Sequence, residues 1–197
     1  MSMVNLVSGG LDSTLIAVIA KEEKIEQFPL FIDYGQRAAR REWETCVAVH
    51  RTLVLPEPIR MDLAGFGQII ASGLTRENLP VKEAAFTPGR NLMFLLMGCS
   101  YAYQVGASSV SIGLLAEQFS IFPDQRQGFL EQAERAICAA MGRDLKILTP
   151  LMDFGKEDVV QLAEEKGIAG TYSCHTGGLE PCGRCIACLE FKFDKEV

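Results

Sequence analysis

The sequence lacks both a long apolar run and an excess of basic residues. Its most apolar segment, residues 92–105, is interrupted by Gly98, Ser100 and Gln104 and is too short to cross a bilayer. Lys and Arg number 19 against 25 Asp and Glu, which gives a formal charge of −6. A protein that binds nucleic acid through its phosphates needs a basic surface. We therefore expect neither a membrane-spanning segment nor a nucleic-acid partner.

We also expect no secretory leader, and the sequence contains no internal repeats or low-complexity segments. Its first ten residues, MSMVNLVSGG, contain neither a basic region nor an apolar stretch of signal-peptide length. There are seven cysteines, an odd number, and four of them lie close together near the C-terminus. This pattern is typical of a metal site in a reducing compartment rather than of a disulfide scaffold. The sequence predicts a cytoplasmic protein.

What is present is a regular alternation of apolar runs and amphipathic stretches over 197 residues, a length that supports one sizeable core. Strands are predicted at residues 3–7, 28–32, 59–63, 110–114 and 145–148, and helices at 12–24, 40–53, 92–106, 122–141 and 156–166. An irregular loop with short helical pieces is predicted between residues 64 and 88. This alternation predicts an α/β fold, an open, mostly parallel sheet with helices on both faces.

The first predicted strand is followed by the stretch SGGLDST, residues 8–14. Its glycines permit positive φ and close approach of a ligand, and the N–H groups at a helix start favour an anion. The hydroxyls of Ser8, Ser13 and Thr14 add donors. The stretch lacks the lysine of the Walker loop and does not match G-x-G-x-x-G. It predicts a phosphate or pyrophosphate site, and an ordinary tight turn between strand and helix is the alternative.

SGGLDST resembles the pyrophosphate-binding loop of the N-type ATP pyrophosphatases, the PP-loop superfamily with an adenine nucleotide alpha-hydrolase-like fold. Within that superfamily, other segments are similar to the 7-cyano-7-deazaguanine synthases, or QueC-like proteins. These segments are DYGQR at 33–37, TPGRN at 87–91, FPD at 122–124, TPL at 149–151 with Lys156, and the four clustered cysteines. They extend over nearly the full length of the chain.

This resemblance implies an ATP-dependent carbon–nitrogen ligase. Such an enzyme adenylates 7-carboxy-7-deazaguanine, lets ammonia displace AMP to form the amide, and adenylates the amide so that it dehydrates to 7-cyano-7-deazaguanine. The implied cofactors are ATP, Mg²⁺ and a structural Zn²⁺. The implied partners are the small-molecule acid, ammonia or another amine, and a second copy of the chain in a homodimer.

The resemblance also implies a set of site residues. The ATP-binding residues are Ser8, Gly9, Gly10, Leu11, Asp12, Ser13 and Thr14. The catalytic residues are Asp12, Arg90, Asp124 and Lys156. The substrate-binding residues are Gln36, Arg37, Asn91, Gln118, Phe122, Asp124 and Arg126. Their chemistry is suitable, because the negative charge of an adenylation transition state calls for N–H donors, cationic side chains and Mg²⁺. A surface cation at a helix start is the alternative for Arg90 and Lys156.

Cys174, Cys182, Cys185 and Cys188 have the spacing C-x7-C-x2-C-x2-C. Four thiolates so close together can surround one tetrahedral ion, for which zinc is the first choice and an iron–sulfur cluster the alternative. We predict a four-cysteine zinc-binding segment at residues 171–197 packed on a PP-loop ATP-binding domain at residues 1–170. The remaining cysteines, Cys46, Cys99 and Cys138, are predicted to be inert core thiols. His175 is predicted to face solvent, and a position near the substrate pocket is the alternative.

The departures from the family pattern concentrate where the acceptor is expected. Ala38 replaces a usual histidine after DYGQR. QFSIFPDQR at 118–126, the acceptor loop, replaces Asp-aromatic-Ser-Gly-Tyr-Pro-Asp-Cys-Arg, and the ending LEFKFDKEV lacks the expected arginines. These differences leave alternatives open. A paralogue that joins the same acid to another amine, such as one on a protein in a defence system, is the nearest. A tRNA-thiolating PP-loop enzyme and a non-catalytic nucleotide-binding protein are more distant.

Overall fold

A computed structural model describes residues 1–190 of the chain. The strands are β1 (Ser2–Val7), β2 (Glu26–Asp33), β3 (Ile59–Asp62), β4 (Ser109–Ser111) and β5 (Lys146–Leu148). The helices are α1 (Leu11–Glu22), α2 (Ala39–Thr52), α3 (Ala64–Ile69), α4 (Arg90–Val105), α5 (Gln127–Met141), α6 (Lys156–Glu165) and α7 (Ile186–Glu190). Short 3-10 turns lie at Glu117–Phe119 and Pro123–Gln125.

The five strands form one sheet in the order β3-β2-β1-β4-β5, and all four neighbouring pairs are parallel. The predicted parallel sheet is therefore confirmed. From β1 the chain continues to β2 and β3 on one side, and then crosses to β4 and β5 on the other. Because the strand order reverses at β1, a crevice opens beyond its carboxyl end. SGGLDST follows β1 directly and lies at this crevice.

Helices cover both faces of the sheet, because alternate residues of each buried strand are apolar on opposite sides. On one face, Val4 of β1 and Leu30 of β2 share a core with the apolar sides of α4 and α5. On the other face, Met3 of β1 shares a core with residues of α1 and α6, among them Leu15 and Val159. The two cores fix the strand ends on which the site residues lie.

The predicted boundaries differ from the structure most around Phe122. The sequence predicts one helix over residues 122–141, but α5 begins at Gln127, after the turn Pro123–Gln125. The Gln125 side chain accepts hydrogen bonds from the backbone N–H groups of Ile121, at 2.9 Å, and Phe122, at 2.8 Å. These bonds stabilise the turn, and Arg126 is extended, with φ −92° and ψ 153°, so a new helix starts after it. Strand β4 is also displaced, to residues 109–111 instead of 110–114.

The described part of the C-terminal segment packs against the loop that follows α3. Tyr172 and the buried cysteines of this segment share a core with Leu74, Val81 and Ala85 of that loop, and with Ala38. Residues 191–197, which hold most of the ending LEFKFDKEV, lie outside the described residues. Within residues 1–190, no helix combines the length and the apolar character needed to cross a membrane.

Candidate active site

A cavity of about 330 Å³ occupies the crevice at the carboxyl ends of the strands. Val7 of β1, Ile32 of β2 and Ile112 after β4 line its floor. Segments far apart in sequence complete it, from the loop after β1 to α7. Polar side chains line this cavity around Asp12 and around Arg90. After the roles predicted from the sequence, these two regions are called the phosphate end and the acceptor end.

At the second position of the loop at residues 8–14, the backbone adopts a conformation that only glycine tolerates. Gly9 has φ +78°, and a Cβ there would lie 2.7 Å from the Glu42 carbonyl oxygen and 2.8 Å from the Cys46 nitrogen. Ser13 Oγ accepts a hydrogen bond from Ser8 N at 3.2 Å and lies 3.3 Å from Ser8 Oγ. The loop thus packs tightly on α2 while its hydroxyl groups and the first turn of α1 lie beside the cavity. Such a helix start stabilises an anion.

Among the described residues, the phosphate end contains one cation between two carboxylates. Lys156 Nζ donates to Asp12 Oδ1 at 2.8 Å and to Asp12 Oδ2 at 3.1 Å, and lies 3.9 Å from Glu190 Oε2. Lys156 begins α6 and Glu190 ends α7, so three segments meet here. Burial raises the pKa of Glu190, Lys156 opposes this shift, and Asp12 reinforces it. Glu190 has no counterpart among the residues predicted from the sequence.

The acceptor end contains Arg90 and a carboxylate that the sequence did not indicate. The Arg90 guanidinium carbon lies 5.9 Å from the centre of the Tyr34 ring and 5.8 Å from that of the Phe94 ring. Glu42 lines the cavity, and its Oε2 accepts a hydrogen bond from Gln36 Nε2 at 2.9 Å. Burial raises the pKa of Glu42 to about 7, although the Gln36 amide and the charge of Arg90 oppose the shift. Acidic residues are common in first helical turns, so Glu42 gave no signal in the sequence.

His175 lies in the cavity lining, and the prediction that it faces solvent is wrong. Its Nδ1 atom is buried and accepts or donates no hydrogen bond within the described residues. Burial and, to a smaller extent, the charge of Arg90 lower the pKa of His175 to about 4. The ring is therefore neutral at physiological pH.

The predicted substrate residues separate into two groups. Gln36, Asn91 and Phe122 line the cavity, together with Ile121 and Gln125 of the acceptor loop. The side chains outside the lining are Arg37, Gln118, Asp124 and Arg126.

Two of these outer residues have contacts of their own. Arg37 Nη1 donates to the Gly73 carbonyl oxygen at 3.3 Å, so its side chain is directed at the loop after α3. Asn91 Nδ2 donates to the backbone oxygen of Asp124 at 3.0 Å, which joins α4 to the acceptor loop. The Asp124 Oδ1 atom is buried without a partner within the described residues.

Most of the predicted ATP-binding residues also line the cavity. They are Ser8, Gly10, Leu11, Asp12 and Ser13. Gly9 and Thr14 lie behind this surface, Gly9 against α2 and Thr14 buried at the start of α1. Of the predicted catalytic residues, Asp12 and Lys156 are in direct contact, and Arg90 lies at the acceptor end.

The four clustered cysteines converge on one point. Their sulfur atoms all lie within 4.8 Å of one another, and Cys182 Sγ is 3.9 Å from Cys188 Sγ. A tetrahedral zinc site with bonds of about 2.3 Å has sulfurs about 3.8 Å apart. Backbone N–H groups also donate to three of the sulfurs, as in Cys182 N to Cys174 Sγ at 3.3 Å. The cluster therefore fits a metal ion bound by four thiolates.

The predicted inert thiols are confirmed for two of the three remaining cysteines. Cys46 and Cys99 are fully buried, and burial raises the pKa of each thiol to about 12. A thiol with so high a pKa carries almost no thiolate at neutral pH. Cys138 is partly exposed, and its sulfur donates to the Leu145 carbonyl oxygen at 3.3 Å.

The sequence signature described as "Queuosine biosynthesis protein QueC" matches residues 2–192. The chain belongs to the QueC family. Relatives named 7-cyano-7-deazaguanine synthase include one from Nitratiruptor sp., 36% identical over 200 residues, which cover 95% of this chain and 90% of the relative. A second, from Acetivibrio thermocellus, is 35% identical over 210 residues, which cover 98% and 93%. The resemblance stated from the sequence is thus confirmed.

Solved structures with low identity support the PP-loop fold of this QueC family member. A 4-thiouridine synthetase in complex with RNA and ATP superposes with a TM-score of 0.55 at 19% identity, covering 93% of this chain and 47% of that one. The U34-tRNA thiolase NcsA from Methanococcus maripaludis gives 0.54 at 14% identity, covering 91% and 62%. Likeness at this level establishes the architecture alone.

Proposed function

We propose that the protein is an ATP-dependent ligase that converts 7-carboxy-7-deazaguanine and ammonia, through the amide, into 7-cyano-7-deazaguanine. The observation that carries this proposal is the position of the loop 8–14. In a chain of the QueC family, this loop lies at the reversal of strand order and lines the cavity of about 330 Å³. The synthase relatives match over nearly their whole length, which supports the same reaction.

At the phosphate end, the proposed role of the chain is to stabilise the leaving pyrophosphate. The first turn of α1 and the hydroxyl groups of Ser8 and Ser13 donate to its oxygens. Lys156 adds a positive charge, which counts for more in a half-buried site than in water. Asp12 and Glu190 would hold Mg²⁺, which would neutralise phosphate charge when bound.

The chemistry we propose proceeds by two adenylations. An oxygen of the acid attacks the α-phosphorus, the bond to pyrophosphate breaks, and an acyl adenylate forms. Ammonia then attacks the acyl carbon and AMP leaves, giving the amide with loss of a proton. The amide oxygen attacks a second ATP in the same way, and departure of AMP with two N–H protons leaves the nitrile.

At the acceptor end, we propose that Arg90 and Asn91 orient the acid. Arg90 supplies a cation next to the aromatic rings of Tyr34 and Phe94, and Asn91 ties the acceptor loop to α4. Roles for Arg37, Gln118, Asp124 and Arg126 stay predictions, since their side chains lie outside the cavity lining.

The test is to incubate the protein with ATP, the acid and Mg²⁺, with and without ammonia, and to identify the products by mass spectrometry. We expect AMP, pyrophosphate and the nitrile when ammonia is present. AMP formation without amide or nitrile would contradict the ligase and favour conjugation to another amine. ATP binding without AMP under any condition would favour a non-catalytic protein.

We propose that the metal at the four cysteines is a structural zinc and that the segment 171–197 forms a unit around it. Six cavity residues belong to this segment, namely Tyr172, Ser173, His175, Ile186, Ala187 and Glu190. We expect Cys182→Ser to lower the zinc content from about one ion per chain to nearly none and to lower the melting temperature. Cys138→Ser, outside the cluster, is the control. Elemental analysis decides the metal, and an iron content with visible absorbance would contradict zinc.

We further propose a homodimer that acts in the cytoplasm. Leu92, Leu96 and Tyr103 are exposed on α4, which carries no charge between Leu92 and Val105. Such an uncharged face avoids repulsion between two copies of an acidic chain. Sedimentation of the purified protein tests this, and a monomer at micromolar concentration would contradict it.

A further inference from the structure

Glu42 is the only carboxylate among the described residues that lines the acceptor end of the cavity. It is half-buried in the first turn of α2, whose backbone is held against the loop at residues 8–14. Among the described residues, no lysine or arginine forms a hydrogen bond with Glu42. By contrast, Asp12 forms an ion pair with Lys156, and Asp33 forms one with Arg60. Such a half-buried carboxylate needs a donor to offset the loss of water.

The orientation of Glu42 is set by Gln36. The Gln36 side-chain oxygen accepts a hydrogen bond from Tyr34 N at 2.9 Å, so its NH₂ group is directed the other way. That NH₂ group donates to Glu42 Oε2 at 2.9 Å and to the Ile32 carbonyl oxygen at 3.5 Å. Gln36 is therefore committed to the protein, and the remaining acceptor capacity of Glu42 is available to a ligand.

The surroundings of Glu42 are suited to a flat heterocycle. Tyr34 and Phe94 pack edge to face with ring centres 5.3 Å apart, and both line the cavity. Phe122, also in the lining, packs on Phe86 at the same centre distance of 5.3 Å. Aromatic side chains of this kind stack on bases.

We propose that the Glu42 carboxylate recognises the 2-amino and N1–H donors of the 7-deazaguanine ring, with Gln36 as its positioning residue. This inference rests on the proposed function, because that function supplies the substrate. The acid has two adjacent donors on its pyrimidine edge and a carboxylate on its pyrrole ring. Glu42 and Arg90 offer the opposite charges in the same end of the cavity.

Adenine is a poorer match for the same position. Its amino group is a donor, but the neighbouring N1 is an acceptor, which repels the second oxygen of an ionised carboxylate. A bidentate pair between a carboxylate and two adjacent donors distinguishes guanine-type bases.

The raised pKa of Glu42 predicts that binding of the acid depends on pH, because the two donors of the base favour the ionised carboxylate. Binding of the acid should then release a proton near pH 7 and weaken at lower pH.

The experiment compares the wild type with Glu42→Gln and with a matched control, Glu44→Gln, two residues further along α2 and exposed. The substrates are 7-carboxy-7-deazaguanine and its analogue without the 2-amino group. We expect Glu42→Gln to lower kcat/KM for the acid about 100-fold. For the analogue, the same substitution should change kcat/KM less than threefold. The KM for ATP should change less than twofold. The control should behave as the wild type, and only Glu42→Gln should lose the pH dependence of acid binding.

Several outcomes would overturn the assignment. If Glu42→Gln and the wild type showed the same ratio of kcat/KM for the acid to kcat/KM for the analogue, contact between Glu42 and the 2-amino group would be excluded. A rise in the KM for ATP alone would place Glu42 at the adenine or ribose instead. Equilibrium titration with guanine and hypoxanthine separates this inference from the proposed function. If guanine binding depends on Glu42 but no AMP forms from the acid, the proposed function fails and the recognition stands.

Discussion

The two ends of the cavity are built in different ways. The phosphate end is formed mainly by seven consecutive residues at the junction of β1 and α1, and their groups approach one another through local turns. The acceptor end is formed by side chains from β2, α2, α4, the acceptor loop and the C-terminal segment. A short motif specifies the loop of the first end, to which α6 and α7 add Lys156 and Glu190, whereas the second end depends on how the whole chain packs. Substitutions at the two ends should therefore have separable effects.

The largest effect is expected at the phosphate end, from Lys156→Ala. Removing the cation leaves Asp12 without its ion-pair partner at 2.8 Å and takes a positive charge from the phosphates. We expect kcat to fall about 100- to 1,000-fold for every acceptor, as on removal of one transition-state donor. Steady-state rates of AMP formation measure this.

The matched control is Lys166→Ala, which removes an ion pair with Glu22 at the far end of α6. It should leave kcat within a factor of two. If Lys156→Ala gave the same small change, Lys156 would be a structural partner of Asp12 and the phosphate end would lack its proposed cation.

The second effect concerns the backbone of the phosphate end, through Gly9→Ala. The added Cβ would lie 2.7 Å from the Glu42 carbonyl oxygen, and the residue would need φ +78°. We expect a loss of about 3 kcal/mol in the free energy of unfolding, from strain and overpacking together. Gly106→Ala is the control, because Gly106 has φ +76° but open space around it. It should cost about 1 kcal/mol. Urea unfolding measures both free energies. If Gly9→Ala and Gly106→Ala lost the same free energy of unfolding, Gly9 would not pack tightly on α2.

These differences explain which parts of the molecule were predictable. The parallel sheet and the loop at residues 8–14 follow from local patterns, namely alternating apolar runs and a glycine turn. The start of α5 was not predictable, because the hydrogen bonds of Gln125 to Ile121 and Phe122 compete with the helix. Such side-chain bonds stabilise turns at the expense of regular structure.

The same reasoning applies to the residues that were missed. Glu42 and His175 carry no motif of their own, and only the packing of α2 and of the C-terminal segment brings them beside Arg90. Glu190 meets Lys156 through the contact of α7 with α6. A residue whose neighbours are all distant in sequence cannot be found from spacing. It can be found from a family resemblance only where the family pattern includes it.

The third effect is expected at the acceptor end, from Gln125→Ala. Gln125 stands where the family commonly has a cysteine, and its side chain holds the acceptor loop through two backbone N–H groups. We expect the KM for the acid to rise about tenfold, equivalent to roughly 1.4 kcal/mol, while the KM for ATP stays constant. Gln127→Ala is the control, since the one hydrogen bond of that exposed side chain among the described residues is to Glu131. A rise in the KM for ATP as well would show that the two ends are coupled.

The smallest effect is on stability, from Glu42→Gln without substrate. The pKa of Glu42 is raised to about 7 by burial, so the folded state binds a proton that the unfolded state releases near pH 4.5. The cost of the buried charge is therefore full above pH 7, falls as the pH drops through 7, and is absent below about 4.5. Glutamine removes this cost and still accepts a hydrogen bond from Gln36.

We expect Glu42→Gln to be about 1 kcal/mol more stable than the wild type at pH 8, less than the full shift implies because water in the cavity screens the charge. The difference should shrink towards pH 5 in chemical denaturation. Glu44→Gln should give no gain at pH 8, because Arg40 lowers the pKa of Glu44. A gain for Glu42→Gln that is equal at pH 5 and pH 8 would come from packing and not from the charge. If Glu42→Gln raised the free energy of unfolding only at high pH, the ionised Glu42 carboxylate would be shown to destabilise the fold. The acceptor end would then be less stable because it keeps a carboxylate beside its substrate.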